Sequence, residues 1–500
     1  MSAALVAHGT LAMPVGFAAP GEPYQLERVG GSLYHHFPNA PAVLNAPLAW
    51  AFARAGHPIL GEQEGYRRGD EAAMLRLSAA LTTALTAALG FLLARLLCGG
   101  FASLAIATAF AFGTSLLSIA SRPYWAHAWG VLLLTAGLWL ALSPIGRRAT
   151  TWVAVATALS WAVFCRPPFA ISVIAVGLWL VARRRLPHLT IYVATGLAWL
   201  ALFTLYSQSV YGQLLPPYFF SEQVASGRWR PEGLLQVPRA AALGTLVSPG
   251  RGLFLFTPFL AAVPLLLVRH FRRLPDRSLA VLGAAAITAN WLLVASFRNW
   301  WGGAGYGPRL LTDSLPWWLV LTALAAAAWE RAPARKPALR RLTVAPIAVL
   351  VLLSIAIHAR GAYSRDTREW GVVRWAPPSV RREIFKQERL WNWRYPQFLA
   401  GLVGEPAPRF VSPACGGTEE VELASCGPPF QLRVTGPALD RFSVRINRGR
   451  SRGGQIDRRG SGQLRVPKRV QAQGILLVAW SCGSVETVDY DCSEAPRTKP

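Results

Sequence analysis

Arg298-Asn299-Trp300-Trp301-Gly302-Gly303-Ala304-Gly305-Tyr306-Gly307-Pro308-Arg309, followed by Asp313, is the stretch that decides the class of this protein. It connects two apolar segments, about 279–296 and 315–329, which are long enough to cross or nearly cross a bilayer. Glycines let a backbone approach a ligand closely, and aromatic rings stack on sugars or lie at the membrane surface. Arginine holds phosphate through paired hydrogen bonds. We therefore expect a site at the membrane surface for a ligand that is lipid-linked and anionic.

Long apolar runs define the predicted fold. Of the 500 residues, 53% are hydrophobic. With about 17–23 residues for each crossing, the predicted spans lie near 75–97, 101–120, 127–144, 150–165, 168–182, 189–206, 252–269, 279–296, 315–329 and 342–358. The sequence thus predicts an all-α polytopic membrane protein with about ten transmembrane helices and a small C-terminal extracytoplasmic β-domain.

The distribution of basic residues sets the predicted orientation. The net charge is +26, but up to residue 360 the arginines gather in alternate short connections, at 147–148, 183–185, 269–277 and 331–341. The positive-inside rule assigns such loops to the cytoplasm. Residues 121–126, 166–167, 207–251 and 298–314 then face outward, as do the segments before 75 and after about 359. Because the basic residues gather in those short connections, we expect membrane lipids as partners and no nucleic acid. Neither a Walker A sequence nor a Gly-x-Gly-x-x-Gly fingerprint is present, so a soluble nucleotide-sugar enzyme is not expected.

Four regions follow along the chain. Residues 1–74 are predicted to be an external loop with an interfacial helix over about 42–52, and residues 75–359 to be the transmembrane domain. Residues 360–404 form a polar connector that contains tryptophans, and 405–500 a small β-domain. Within that domain the segments 430–434, 442–446, 463–466 and 475–480 are rich in β-branched or aromatic residues, which is typical of strands.

The cysteines agree with an external β-domain. Cys415, Cys426, Cys482 and Cys492 all lie in it, and an even set in an oxidising compartment predicts disulfides. Three pairings are possible, and the two local ones, 415–426 and 482–492, are favoured. Zinc is the less favoured alternative, because the domain has no close Cys-x-x-Cys pair and no histidine.

The tryptophan–glycine loop also has plain structural interpretations. Trp300 and Trp301 could belong to an aromatic belt. Arg309 and Asp313 are four residues apart at a helix start, so they could pair with each other. That pairing would not exclude a role in a site.

Three histidines and one further arginine are the other polar candidates. His35 and His36 precede the interfacial segment, and His127 begins a span on the outward side. For each of them the structural interpretation is favoured, because polar groups at span ends cost little. Arg166 lies in the tight outward turn Arg166-Pro167-Pro168, where contact with a phosphate or lipid headgroup is favoured over extension of the side chain to water.

Several motifs share one resemblance. They are Leu33-Tyr34-His35-His36-Phe37-Pro38, Cys165-Arg166-Pro167, Ser248-Pro249-Gly250-Arg251-Gly252-Leu253 with Thr257-Pro258, and Trp300-Trp301-Gly302-Gly303 with Tyr306-Gly307-Pro308-Arg309. As a set they resemble a bacterial branch of the GT-C-type polytopic glycosyltransferases, which depend on dolichyl- or polyprenyl-phosphate sugars and include mannosyltransferases. The resemblance covers about residues 1–330 and leaves out the β-domain.

The resemblance implies a chemistry and also a departure from it. In such enzymes an acid in the first external loop acts as base or metal ligand, and the acceptor attacks the anomeric carbon, usually with inversion. Ala3 to Leu11 resembles the segment that follows this acid, so the acid and the first helix are expected upstream of Met1. The acids at 62, 64, 70 and 71 do not match the motif. No catalytic residue and no metal ligand is therefore assigned, and no cofactor is named; a divalent metal stays open.

The sequence predicts a membrane glycosyltransferase of the bacterial cytoplasmic (inner) membrane. It would move a sugar from a polyprenyl-phosphate carrier to a cell-envelope acceptor on the outer face. Arg166 and Arg309 would hold the phosphate, and Asp313 would orient Arg309 or assist the acceptor. The remaining substrate-binding candidates are His35, His36, His127, Trp300, Trp301 and Tyr306. The alternatives are a non-catalytic membrane component of envelope assembly and a transporter of a lipid-linked sugar.

Overall fold

The computed structural model describes most of the chain. The described residues are 1–13, 26–29, 31–35, 37–61, 65–122, 126–216, 218, 237–297, 299–303, 305–332, 337–370 and 387–403, together with seven strands between 418 and 491. His36 and the four cysteines of the predicted β-domain lie outside these residues. The chain divides into two compact units, the first comprising Met1–Gly371, Gln387–Asn392 and Pro396–Phe398, and the second containing Leu399–Pro500.

The first unit is helical. It begins with α1 (Ser2–His8), the hairpin of β1 (Leu26–Val29) and β2 (Ser32–His35), α2 (Ala40–Leu44), α3 (Ala46–Arg54) and the short pair β3 (Leu60–Gly61) and β4 (Gly65–Tyr66). The long helices follow: α4 (Arg68–Leu97), α5 (Gly100–Phe112), α6 (His127–Leu142), α7 (Thr151–Cys165), α8 (Ala170–Ala182) and α9 (Leu186–Tyr211). After them come α10 (Arg239–Val247), α11 (Leu253–Phe256), α12 (Ala262–His270), α13 (Arg277–Ala295), α14 (Leu315–Glu330), α15 (Pro337–Tyr363), α16 (Arg365–Glu369) and α17 (Gln387–Leu390).

The helices make this a multi-pass membrane protein. In the described part of the chain, five segments are long and apolar enough to cross a bilayer: Arg68–Leu97, Leu186–Tyr211, Arg277–Ala295, Arg309–Glu330 and Val344–Tyr363. Four shorter apolar helices lie between them in the chain, at Gly100–Phe112, His127–Leu142, Thr151–Cys165 and Pro167–Ala182. The predicted spans at 150–165 and 279–296 agree with α7 and α13 to within two residues at each end.

Two predicted spans are not continuous helices. The segment 101–120 consists of α5, which ends at Phe112, and a separate π-helix over Leu116–Ala120. The segment 252–269 consists of α11, a 3-10 helix over Pro258–Ala261, and α12. Pro258 has no N–H to donate to the preceding turn, and Thr257 leaves helical geometry with φ −129° and ψ 68°. The Thr257-Pro258 motif therefore bends the chain.

Helix α14 lies at the centre of the core. Of its residues, twelve are buried, including Trp317, Trp318 and Val320. Gly283 of α13 admits the Trp317 ring, since a Cβ there would lie 3.0 Å from its Cε3. Such burial on all sides explains why α14 is apolar around its whole circumference. It also fixes the residues that precede it, Arg309–Ser314, in the interior.

The C-terminal strands form two antiparallel sheets. One has the order β5 (Thr418–Leu423), β10 (Gly474–Trp480), β7 (Arg441–Ile446) and β8 (Arg452–Gln455). The other has the order β11 (Thr487–Asp491), β6 (Phe430–Thr435) and β9 (Ser461–Val466). The four segments predicted to be strands coincide with β6, β7, β9 and β10. The domain boundaries given above stay predictions.

Candidate functional site

Asp313 is the centre of a buried polar cluster. Its side chain is 1% exposed. Its Oδ1 lies 2.8 Å from Nδ1 of His127, and Nε of Arg166 donates to both carboxylate oxygens, at 3.1 and 3.0 Å. Three residues far apart in the sequence thus meet at one carboxylate. We call this the Asp313 cluster, and its members are His127, Arg166 and Asp313.

Local geometry explains why Asp313 pairs with Arg166 and not with Arg309. Residues Arg309–Ser314 form a 3-10 helix, in which residues three apart are aligned and residues four apart are not. The pairing expected for an α-helix at this spacing is therefore lost. The hypothesis that Asp313 orients Arg309 gives way to an observed contact with Arg166, which approaches from the turn after α7.

Arg309 is buried with 9% of its surface exposed. Gly305 makes room for it, because a Cβ there would lie 2.7 Å from Cδ of Arg309. Gly302 is favoured for another reason, its φ of 70°, which side chains rarely adopt. Arg309 is also close enough to His127 and Arg251 for electrostatic interaction.

Arg166 combines a fixed end with an accessible end. It follows α7 with extended backbone, φ −154° and ψ 117°, and the two prolines after it hold the turn. Its side chain is 22% exposed. Its hydrogen bonds to described residues come from Nε, so Nη1 and Nη2 have no partner among them. A guanidinium held in this way is preorganised to bind an anion.

His127 is the first residue of α6, and its side chain is 1% exposed. A carboxylate can only accept hydrogen bonds, so the contact with Asp313 places the proton on Nδ1. Nε2 then carries the lone pair of the neutral ring. Within the described residues, Nε2 makes no hydrogen bond.

Aromatic residues of two loops flank the Asp313 cluster. Tyr218 interacts electrostatically with Arg166 and Asp313, and burial raises the pKa of its hydroxyl. The ring of Phe37 lies 6.0 Å from that of Tyr218. His35 contacts Phe37, with its Nδ1 3.4 Å from the carbonyl oxygen and the ring centres 5.4 Å apart. His35 is thus connected to the cluster through Phe37 and Tyr218.

Trp300 and Tyr306 pack inside the protein. A Cβ on Gly244 would lie 2.3 Å from Cη2 of Trp300, so this indole fills the space beside the glycine of α10. The Tyr306 hydroxyl donates to the carbonyl of Ile357 at 2.8 Å, and its ring occupies the space beside Gly361. Trp301 is half-buried and meets Trp300 edge-on at 5.9 Å. Their predicted role in lining a path for lipid or sugar stays a prediction.

Arg251 is a functional candidate that the sequence interpretation did not select. It is 1% exposed. Its guanidinium donates to the carbonyls of Gly250 (2.6 Å), Trp301 (2.8 Å) and Gly303 (2.8 Å) and to Oε1 of Gln397 (2.5 Å). Burial and the nearby charge of Arg309 lower the pKa of Arg251 to about 9, which leaves it charged at neutral pH. The motif Ser248-Pro249-Gly250-Arg251-Gly252 was the available signal.

A second buried histidine has a different environment from His127. His358 is 0% exposed, and both ring nitrogens are hydrogen-bonded, Nδ1 with Ser118 Oγ at 2.7 Å and Nε2 with Thr257 Oγ1 at 2.9 Å. This complete satisfaction is typical of a structural polar network. The sequence offered no signal for it beyond a histidine near a span end.

A narrow apolar cleft with a volume of about 20 Å³ lies between α4, α5, α6 and α14. Val131 and Thr135 lie one and two turns after His127, on the same face of α6. The complete lining is Thr86, Ala87, Gly90, Ala107, Phe110, Ala111, Thr114, Leu116, Val131, Thr135, Leu315, Pro316 and Leu319. The members of the Asp313 cluster do not line the cleft, but α6 begins at His127 and α14 begins two residues after Asp313.

The described part of the chain contains no group of three or more histidine, cysteine or acidic residues arranged to hold a metal. At the Asp313 cluster the one carboxylate is occupied by Arg166 and His127. The groups that the cluster leaves for a ligand are the Nη1 and Nη2 donors of Arg166, which suit an anion.

Comparisons with known proteins give one structural likeness. No protein-family model matches the chain, and no curated protein matches it. The chain is similar to a crystal structure of ArnT from Cupriavidus metallidurans bound to undecaprenyl phosphate, with a TM-score of 0.43 and 16% sequence identity. The likeness covers 74% of this chain and 62% of that one, so the chain spans less than two thirds of the length of that protein.

Proposed function

We propose that this protein transfers a sugar from a polyprenyl-phosphate carrier to a cell-envelope acceptor on the outer face of the cytoplasmic membrane. The observation that carries the proposal is the position of the Asp313 cluster at the start of α6 and just before α14, two helices that line an apolar cleft. A lipid phosphate has the same two parts, an anionic head and an apolar chain.

The charge of the site fits the head of such a ligand. Arg166 would bind the phosphate through Nη1 and Nη2 while its Nε stays on Asp313. Arg309 begins the 3-10 helix that contains Asp313, and its charge would add to the positive potential at the phosphate. As the bond between sugar and phosphate breaks, negative charge grows on the phosphate, and preorganised cations stabilise this change strongly where water is excluded.

The lining of the cleft matches the chain of the ligand in its chemistry. Its lining is small or apolar, and three threonines are its polar members. Two of them, Thr86 and Thr135, donate their hydroxyls to backbone carbonyls of their own helices, at 2.7 Å each. Their polar atoms are thereby satisfied, and methyl groups remain to contact an isoprenoid chain.

The location requires outward placement of the site and of the C-terminal strands, which we propose to form a β-domain outside the membrane. Reporter fusions after residues 186, 274 and 335 should behave as cytoplasmic, and fusions after 230, 305 and 420 as external. The arginine-rich loops motivate this expectation. A cytoplasmic signal at 420 or an external one at 274 would refute the location.

The test of the activity uses purified full-length protein in nanodiscs. We expect it to bind undecaprenyl phosphate and, with native membranes as acceptor, to release undecaprenyl phosphate from at least one of a panel of undecaprenyl-phosphate-linked hexoses and pentoses. Arg166→Ala should abolish binding, whereas Arg239→Ala, at an exposed position on α10, should not. Binding without release in any donor would favour a non-catalytic component. Movement of intact donor across a vesicle membrane would favour a transporter.

A further inference from the structure

We propose that His127 is the general base of the transfer and that Asp313 positions it. The inference rests on the proposed function and names the residue that would activate the acceptor. It assigns catalysis to the Asp313 cluster itself.

The hydrogen bonding of the ring carries the proposal. Nδ1 of His127 is committed to the Asp313 carboxylate at 2.8 Å, which fixes both the tautomer and the orientation of the ring. Nε2 is left with a lone pair and, in the part of the chain that the structure describes, no hydrogen-bond donor. His358 provides the contrast, because hydroxyls contact both of its nitrogens. A histidine that only fills a polar niche should resemble His358.

Opposite charges surround His127. Asp313 is negative and would stabilise the imidazolium that forms when Nε2 takes a proton, as carboxylates do in Ser-His-Asp sites. Burial and the charges of Arg166 and Arg309 oppose this protonation, and a phosphate bound to Arg166 would offset the charge of that arginine. Arg166 shares the same carboxylate, so a phosphate on Arg166 would lie beside the base. The residues that follow His127 on its face of α6, Val131 and Thr135, line the cleft. The head of a lipid held in that cleft would therefore lie at His127.

In the proposed step, the Nε2 lone pair takes the proton of the acceptor hydroxyl, and the acceptor oxygen forms a bond to the anomeric carbon. The bond between that carbon and the phosphate oxygen breaks, and its electron pair leaves with the phosphate. Polyprenyl phosphate departs with one more negative charge, which Arg166 holds, and His127 gives its proton to water.

The decisive variant is His127→Asn. The amide N–H₂ of asparagine can occupy the place of Nδ1 and keep a hydrogen bond to Asp313, but the side chain has no basic atom. We expect release of undecaprenyl phosphate to fall by about 100-fold or more, in the range for loss of a general base. Affinity for undecaprenyl phosphate should change by less than about threefold, because Arg166 stays in place. His57→Asn, at a histidine whose side chain is 61% exposed, is the matched control.

Azide separates a catalytic role from a positioning role. Azide is already an anion and attacks carbon without losing a proton, so it needs no base. With azide, His127→Asn should recover release of undecaprenyl phosphate and form the glycosyl azide, whereas Arg166→Ala should not recover. A variant that stays inactive with azide would show that His127 only positions the cluster, which overturns the proposal.

The outcomes separate this inference from the proposed function. If wild-type protein neither binds undecaprenyl phosphate nor uses any donor, the proposed function fails. If wild-type is active and His127→Asn retains its turnover within about threefold, only the role of His127 fails. His127→Gln replaces the asparagine variant if that variant does not bind undecaprenyl phosphate, and loss of binding in both would show a structural role and overturn the proposal.

Discussion

Gln397 and Arg251 share a hydrogen bond that holds the tryptophan–glycine loop. Oε1 of Gln397 accepts from Nη1 of Arg251 at 2.5 Å and from the backbone N–H of Gly307 at 2.9 Å. The amide nitrogen of Gln397 donates to the carbonyls of Thr367 at 3.0 Å and Gly305 at 3.4 Å. One amide thus joins the loop before the Arg309 helix to Arg251 and to the segment after α15.

Arg251→Lys should destabilise the protein. Lysine has one charged nitrogen and cannot reach the four acceptors that the planar guanidinium contacts, so buried carbonyls would lose their partners. We expect a loss of about 2–4 kcal/mol of unfolding free energy, visible as a lower thermal transition in detergent. Arg239→Lys is the surface control. An unchanged transition for Arg251→Lys would mean that the loop is held by other contacts.

Arg166→Lys should weaken the binding of undecaprenyl phosphate. Lysine retains the charge but cannot contact Asp313 and a phosphate at the same time. Loss of a hydrogen bond to a charged group costs about 1.5–3 kcal/mol, which corresponds to about 10- to 150-fold in affinity. Equilibrium binding of the labelled lipid to nanodiscs measures it. Affinity equal to that of wild-type would remove Arg166 from the phosphate site.

Asp313→Asn should be more damaging than Arg309→Lys. Sequence spacing suggested the opposite, since Asp313 was expected to orient Arg309 or to assist the acceptor. In the structure, removal of the carboxylate charge leaves Arg166 and His127 without their common acceptor, and breaking such a buried pair costs about 3–5 kcal/mol. Both turnover and thermal stability should fall. Asp366→Asn, at an exposed acid, is the control, and a mild phenotype for Asp313→Asn would refute the central role of this carboxylate.

Ala111→Phe should block the apolar cleft. The added ring would occupy space lined by Ala111 and its neighbours, where an isoprenoid chain is proposed to lie. Affinity should fall strongly for undecaprenyl phosphate and little for inorganic phosphate. Ala105→Phe, on an exposed face of the same helix, should bind as wild-type does. Equal losses for both phosphates would indicate general distortion and not a blocked chain site.

All four C-terminal cysteines should be in disulfides, with no free thiol, when the protein is isolated without reductant. Each disulfide of a small domain contributes about 2–4 kcal/mol. Mass spectrometry after alkylation under native conditions measures it, with the same protein treated with reductant as the positive control. Alkylation of Cys415 or Cys492 in the unreduced sample would disprove the pairing.

The sequence was sufficient for some features and not for others. Hydropathy located α7 and α13 nearly to the residue, because a bilayer demands apolar runs of fixed length. Arg166 could be selected because an arginine in a tight turn between apolar helices needs a partner. The contact of Arg166 with Asp313 could not be predicted, since it depends on a 3-10 helix that shifts the i+4 residue to another face. The buried positions of Trp300 and Tyr306 depend on glycines in distant helices, which a local pattern does not reveal.

Those glycines have an evolutionary consequence. The ring of Tyr306 occupies the place where residue 361 would have a Cβ, and Trp300 does the same at residue 244. A side chain at either glycine would be tolerated only with a smaller residue in place of its aromatic partner. Among homologues we therefore expect covariation between 306 and 361 and between 300 and 244, with each pair drifting as one unit while its combined volume stays nearly constant.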